Sequence, residues 1–491
     1  MDAKSSDRPI RIDLDSIPSG LFINGKWRDG AASDGIDVFD PSNESLLKTV
    51  ANATVEDGIK AVDAAAAAAS AWACTAPRRR AEILLRACEI MTERSEWLAT
   101  LISLENGKAL ADARGEVAYA AEYFRWFAEE AVRIRGDISV APSGNNRIVV
   151  QYQPMGIAVL ITPWNFPAAM ATRKIGPALA AGCTCILKPA TETPLTAFAI
   201  LKILTEAGLP AGVVNAVTTK QPGPVVSAML NDPRVRKLSF TGSTEVGRRL
   251  LAEAAKSVVH CSMELGGNAP FIVFDDADLD AAVNSAMIAK MRNGGEACTA
   301  ANRFYVHTKV MDEFASRLAE KMGALEVGDG AASTTACGPL VNKSSLDKVS
   351  ALVSDAVAKG AEIKVGGSRI QRKGYFYAPT VLASVPEDAD LYRDEIFGPV
   401  AALYPFENEH EVIARANDSE YGLVAYVFTH DLARGMRVSE RLEAGMIALN
   451  RGLVSDPAAP FGGVKQSGLG REGSHHGILE YLEAKYIAVN W

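Results

Sequence analysis

The chain has 491 residues, 48% of them hydrophobic and 22% charged, with a net charge of −8. That is ordinary globular composition, and the length calls for two or three domains with a large buried core. The acidic balance gives no support for nucleic-acid binding, which needs concentrated positive charge, so any anion site must be built from individually placed Arg or Lys side chains. The seven cysteines, an odd and low count for this length, argue against a disulfide framework and fit a reducing compartment. The N-terminal MDAKSSDRPIRIDLD has no apolar signal core, and its acidic residues argue against a transit peptide. No stretch approaches 18 apolar residues without a charge or a turn signal. A cytoplasmic protein is expected.

In chain order, the Ala-rich stretch from Val55 to about Arg135 predicts helices, with Thr54 as N-cap. RIVVQYQ (147–153) predicts a short strand. From Ile157 apolar strands alternate with helices: IAVLITP precedes a helical stretch ending at Gly182, and CTCILKP precedes AFAILKILTEAG. GVVNAVT, SAMLND and KLSFTG follow, the last leading into TEVGRRLLAEAA. Strand–helix alternation predicts a doubly wound parallel sheet. The pattern restarts after Glu264 with the strand APFIVF and the helix DLDAAVNSAMIAKM, giving a second α/β unit over about 267–466. The chain ends in an apolar strand, YIAVNW, that needs a sheet to join, either in its own fold or in a neighbouring subunit.

Gly468-Leu-Gly470-Arg-Glu-Gly473 fits the GxGxxG pattern, but no strong strand precedes it and too little chain follows for a βαβ unit. FTGSTEVG (240–247) is better placed, between a strand and a helix, where free N–H groups and the helix dipole can meet a phosphate. The same residues also serve ordinary capping. Cys298 follows a helix and a Gly-Gly pair in MRNGGEACTAANR, where positive φ and close approach to a ligand are accessible. A thiol exposed there is a good nucleophile once ionised, although a free Cys is more often a small buried hydrophobe, as Cys74, Cys88 and Cys337 are expected to be. Glu264 in MELGGNAP can face a cleft and activate water, or be a surface acid. Asn165 in TPWNFP sits in a backbone restrained by two prolines, which suits an oxyanion donor as well as a plain turn. No ligand set for a metal is apparent.

Together, PWNFP, FTGSTEVG, MELGGNAP, GGEAC, EIFGPV and PFGGVKQSGLGREG resemble the aldehyde dehydrogenase superfamily, in its order and spacing, from about Leu21 to Trp491. The resemblance implies a Rossmann-type NAD(P)-binding domain (1–135 and 155–266), an α/β catalytic domain (267–466) and a small oligomerisation sheet (136–154 and 467–491). It implies a homodimer or homotetramer. Cys298 is then the nucleophile, Glu264 the base for the deacylating water, and Asn165 with the Cys298 N–H the oxyanion hole. Lys188 is implied at the adenosine ribose, Trp164, Gly242 and Ser243 at the pyrophosphate, and Glu395 and Phe397 at the nicotinamide riboside. An inactive scaffold on this fold would have lost Cys298 or Glu264, and a coenzyme A-acylating relative usually lacks the Glu.

The chain is most similar to succinate-semialdehyde dehydrogenases, in which the positions of Arg173, Arg292 and Ser455 hold a distal carboxylate. Arg suits an anion because its planar fork grips two oxygens. Three departures stand out. Glu296 replaces the usual Gln and is expected to point away from the thiol, whose ionisation it would oppose. Met291 replaces an aromatic. Arg451 stands where a small residue is usual, and a third Arg suits the three oxygens of a sulfonate, as in sulfolactaldehyde dehydrogenases. Oxidation of sulfolactaldehyde to sulfolactate is therefore expected, with succinate or glutarate semialdehyde as the alternative. Thr191 stands where strictly NAD-dependent relatives often carry a Glu that repels a 2′-phosphate, so NADP is expected to be tolerated alongside NAD, with Glu192 one position along.

Overall fold

The computed structural model describes residues 10–490; Trp491, the last residue of the expected terminal strand, and residues 1–9 lie outside them. Four helices fill the stretch expected to be helical: Val55–Ala73, Pro77–Glu93, Ser95–Asn106 and Leu110–Ala131. The first starts at a capping box. The Thr54 hydroxyl accepts the Asp57 N–H at 3.4 Å, and the Asp57 carboxylate accepts the Thr54 N–H at 3.0 Å.

The first large sheet has five parallel strands in the spatial order Val214–Ala216, Thr184–Lys188, Ile157–Ile161, Val235–Thr241, His260–Glu264. Taken in chain order from Ile157, that is 3-2-1-4-5, the dinucleotide-binding order. The strand order reverses between Ile157–Ile161 and Val235–Thr241, so a crevice opens beyond their carboxyl ends, where ligands of such sheets bind. The continuous apolar runs of these strands follow from helices covering both faces. Leu21–Ile23, with Lys26–Arg28 beyond it, extends one side and Gly468–Leu469 the other, all in antiparallel pairing.

The second sheet runs Glu362–Val365, Thr380–Ala383, Val400–Phe406, Ala301–His307, Ala269–Val273, Val424–Phe428, Met446–Leu449, parallel except at its first pair. A third, small sheet joins Asp137–Val140, Arg147–Pro154 and Leu482–Val489, so the orphan terminal strand has its partner within the chain, with Tyr486 opposite Val150. The segment from 467 does more than build that sheet. Gly468–Leu469 pairs with Met263–Glu264, and the helix Ser474–Leu479 packs on Leu110–Ala131 and Pro167–Ala181 before the chain turns outward. Among the described residues, no helix is long and apolar enough to cross a membrane.

Candidate active site

Both carboxyl ends at the reversal point lead into the crevice. Ile157–Ile161 continues into Pro163-Trp164-Asn165, and Val235–Thr241 into Gly242-Ser243. These residues line a cavity of 240 Å³ together with Cys298, Glu395 and Phe397 from the other half of the chain. The structure thus gathers most of the catalytic and cofactor residues expected from sequence. Ser243 caps the helix Thr244–Ala255, its hydroxyl accepting the Val246 N–H at 3.4 Å.

The nucleophile loop is shaped by three consecutive left-handed residues, Asn293 (φ 54°), Gly294 (58°) and Gly295 (80°), which turn the chain sharply after the helix Leu279–Met291. A Cβ on Gly295 would lie 2.2 Å from the Gly398 carbonyl oxygen, so only glycine lets the loop seat there. Asn165 Nδ2 donates to the Glu296 carbonyl at 3.1 Å, which ties this amide to the loop that carries Cys298 and leaves its second hydrogen for another acceptor. The Glu296 carboxyl accepts the Val341 N–H at 3.2 Å, so it is engaged away from that contact, and burial pushes it up to about 8. Met291 is buried.

Glu264 ends the strand His260–Glu264, buried, with neither carboxyl oxygen hydrogen-bonded to the protein. Burial, then the nearby Glu472, raises it well above the usual carboxylate range. A buried carboxyl with two open acceptors is poised to engage a water that enters with substrate. Gly468, from the discarded GxGxxG run, lies so close to this strand that a Cβ would sit 2.0 Å from the Met263 carbonyl oxygen. Its glycine serves strand contact beneath the base. Burial pushes the Cys298 thiol up to about 12, against the opposing pull of Arg173.

The residues expected to hold a cofactor offer donors and acceptors suited to an oxygen-rich nucleotide. Lys188 is buried, burial holds its ammonium below the usual range, and among the described residues its ammonium donates to the adjacent Pro189 carbonyl alone, at 3.2 Å, leaving donors for ribose hydroxyls. It lines a separate cavity of 590 Å³ with Thr191, Glu192 and Lys220. Burial pushes the Glu395 carboxyl up to about 7, and one of its oxygens accepts the Gly267 N–H at 3.1 Å. The Trp164 and Phe397 rings meet edge to face, centroids 5.4 Å apart, with Phe397 at φ 55°. The residues fit the group.

The four anion residues are not assembled as expected. Arg292 Nη1 comes within 3.4 Å of the Ser455 hydroxyl, and its guanidinium lies over the Phe166 ring at 4.8 Å. Arg173 is buried and ion-paired with Glu472, stacked 3.8 Å over Phe461, with Nη2 left without a partner. Arg451 is exposed, and no hydrogen bond or ion pair joins it to the other three. Its exposure therefore lends no support to the expectation that Arg451 completes a three-Arg anion site. Sequence reasoning also missed Glu472 and Lys174, which pair at 2.6 Å. Against burial, which raises it, Arg173 and Lys174 hold Glu472 below the usual carboxylate range. Two adjacent cations on an otherwise apolar helix were the available signal that a buried acid must face them.

A thiol, a buried carboxyl and an oxyanion amide at the reversal point of a dinucleotide-binding sheet define an aldehyde-oxidising class. The aldehyde dehydrogenase family model matches residues 27–487, and the chain belongs to that family. It is an oxidoreductase acting on aldehydes. Among its relatives, a succinate-semialdehyde dehydrogenase of Paenarthrobacter nicotinovorans is 55% identical over 90% of this chain and 99% of its own. A glutarate-semialdehyde dehydrogenase of Pseudomonas putida is 48% identical over 96% and 97%. The crystal structure of an Escherichia coli NADP-dependent enzyme superposes with a TM-score of 0.96 at 47% identity, covering 98% of this chain and 99% of that one.

Proposed function

We propose that this protein oxidises a short aldehyde bearing a distal carboxylate, of the succinate- or glutarate-semialdehyde kind, to the dicarboxylic acid. The observation that carries the substrate class is the half-buried Arg292 guanidinium beside the Ser455 hydroxyl, one cation and one hydroxyl suited to two carboxylate oxygens. The names of the relatives point the same way. The exposed Arg451 removes the argument for a sulfonate.

Cys298 as thiolate forms a C–S bond to the aldehyde carbon, and the oxygen becomes an oxyanion held by the free Asn165 amide hydrogen and the Cys298 N–H. Nicotinamide, when bound, supplies the acceptor for the hydride leaving that carbon, which becomes a thioester. Glu264 then takes a proton from water, whose oxygen attacks the thioester; the C–S bond breaks and the thiolate is restored. Lys188 and Glu395 would hold the two riboses, and Gly242, Ser243 and Trp164 the pyrophosphate.

Both NAD and NADP serve. Thr191 brings no charge toward a 2′-phosphate, its hydroxyl donates to Glu192 at 3.1 Å, and Lys220 lines the same cavity. The small sheet presents Ile138, 73% exposed, and in register with it on the same face Ile487, 36% exposed, a face suited to a second copy in a homodimer or homotetramer.

The test is kcat/KM for succinate, glutarate and uncharged aldehydes with each cofactor, in the unaltered protein, Cys298→Ala and Glu264→Gln. The expected outcome is a preference for the semialdehydes and no turnover in Cys298→Ala. Glu264→Gln should give one reduced cofactor per site and then turnover slowed by about 10²–10⁴-fold. A preference for uncharged aldehydes overturns the substrate class.

A further inference from the structure

The segment 106–116 reaches both halves of the catalytic machinery from a distance in sequence. Lys108 is fully buried, and its ammonium donates to the main-chain carbonyl of Asn165 at 2.6 Å and to Glu116 at 2.5 Å, lying 4.1 Å over the Phe166 ring. The other Glu116 oxygen accepts the Ala168 and Ala169 N–H groups at 2.8 and 3.2 Å, which begin the helix leaving Asn165. Asp112, one turn before Glu116, accepts the Asn293 N–H at 2.9 Å, and Asn293 donates to the Asn165 carbonyl at 2.9 Å. Asn165 is thus held at its carbonyl by an ammonium, and just beyond it in the chain by a carboxylate, while its amide is aimed through Glu296 at the nucleophile loop.

A buried ion pair is a poor way to gain stability, since desolvating both charges offsets much of their attraction. What it supplies is direction: one charge-assisted bond fixes the Asn165 carbonyl, and the Glu116 carboxylate fixes the N–H groups of Ala168 and Ala169 just beyond it. We propose that Lys108 and Glu116 are positioning residues for the oxyanion hole. They act through Asn165, which they fix relative to Cys298. The inference rests on the dehydrogenase reading above and adds to it the residues that set its geometry.

Lys108→Met alone strands a buried carboxylate, so the informative variant is Lys108→Met with Glu116→Gln, which removes both charges and leaves an acceptor for the helix N–H groups. It is compared with Asn165→Ala and with the triple variant, by the burst rate of NAD(P)H formation on succinate semialdehyde. Alkylation of Cys298 by iodoacetamide, which forms no oxyanion, is the control. The double variant is expected to lose about tenfold to a hundredfold in burst rate, with KM within about twofold and alkylation unchanged. In the Asn165→Ala background the same pair should cost nothing further. Additive losses, or alkylation falling in step with the burst, overturn the positioning role. If the double variant does not fold, Lys108→Arg, which keeps the charge, carries the test with the same cycle. No NAD(P)H formation from succinate semialdehyde by the unaltered protein, at any phase of the reaction, would instead overturn the substrate reading on which the inference rests.

Discussion

Three arginines stood as equal candidates for the substrate anion, and their surroundings separate them. Arg292 is half-buried beside Ser455, Arg173 is neutralised by Glu472, and Arg451 faces solvent. Arg292→Ala should lower kcat/KM for succinate semialdehyde about thirtyfold, the loss of a charged hydrogen bond worth about 2 kcal/mol, and leave uncharged aldehydes unaffected. Arg451→Ala should change neither, and steady-state kinetics on both substrate types checks the contrast. Glu296 permits a prediction from titration. Its folded carboxyl is raised to about 8 by burial, so the folded protein keeps a proton that the unfolded chain releases near the ordinary carboxylate value. The stability this contributes is complete at low pH and is lost as pH rises through 8. Glu296→Gln cannot ionise, so its melting temperature should gain on that of the unaltered protein from pH 5 to 8 and keep a constant lead above. The slope is at most about 1.4 kcal/mol per pH unit. A gap that is flat across this range would mean that Glu296 is ionised in the fold.

Among the elements, the turn Arg292–Gly295 decides where the thiol goes, and its glycines are not interchangeable with others in the chain. Gly295→Ala meets both a left-handed φ and the Gly398 carbonyl, so the loop must move. A displacement near 1 Å at a nucleophile costs about a hundredfold in rate, which the burst rate would register. Gly115, exposed within Leu110–Ala131, has nothing within 4 Å of where its Cβ would sit. Gly115→Ala should stabilise that helix by about 0.5–1 kcal/mol and leave the burst rate alone, as thermal unfolding beside the same assay would reveal. At this scale much was legible. Thr54 announced its capping box, and the apolar run 157–161 announced a strand covered on both faces, because both signals act within a few residues.

At the scale of the whole molecule, the active site exists only where two sheets meet. One supplies Trp164, Asn165 and Ser243 from its reversal point, and the segments flanking the other supply Cys298, Glu395 and Phe397. The small third sheet leaves apolar side chains in solvent, and the homo-oligomer proposed from them predicts sedimentation above the monomer mass. Ile138→Lys should shift the population toward monomer, and a monomeric unaltered protein would remove the proposal. The amino-acid sequence by itself determined the class of chemistry: a thiol after Gly-Gly, a carboxylate and an amide between prolines, each ambiguous among its immediate neighbours, are together recognisable by the order and spacing of six motifs. Tertiary structure alone decided which charges remained available to that chemistry. Arg173 meets Glu472 across 299 positions and Lys108 meets the Asn165 carbonyl across 57, and no local pattern announces either pairing. A buried charge must be matched by whatever the packing brings within reach, and that is fixed by how distant segments stack, not by the residues beside it in the chain.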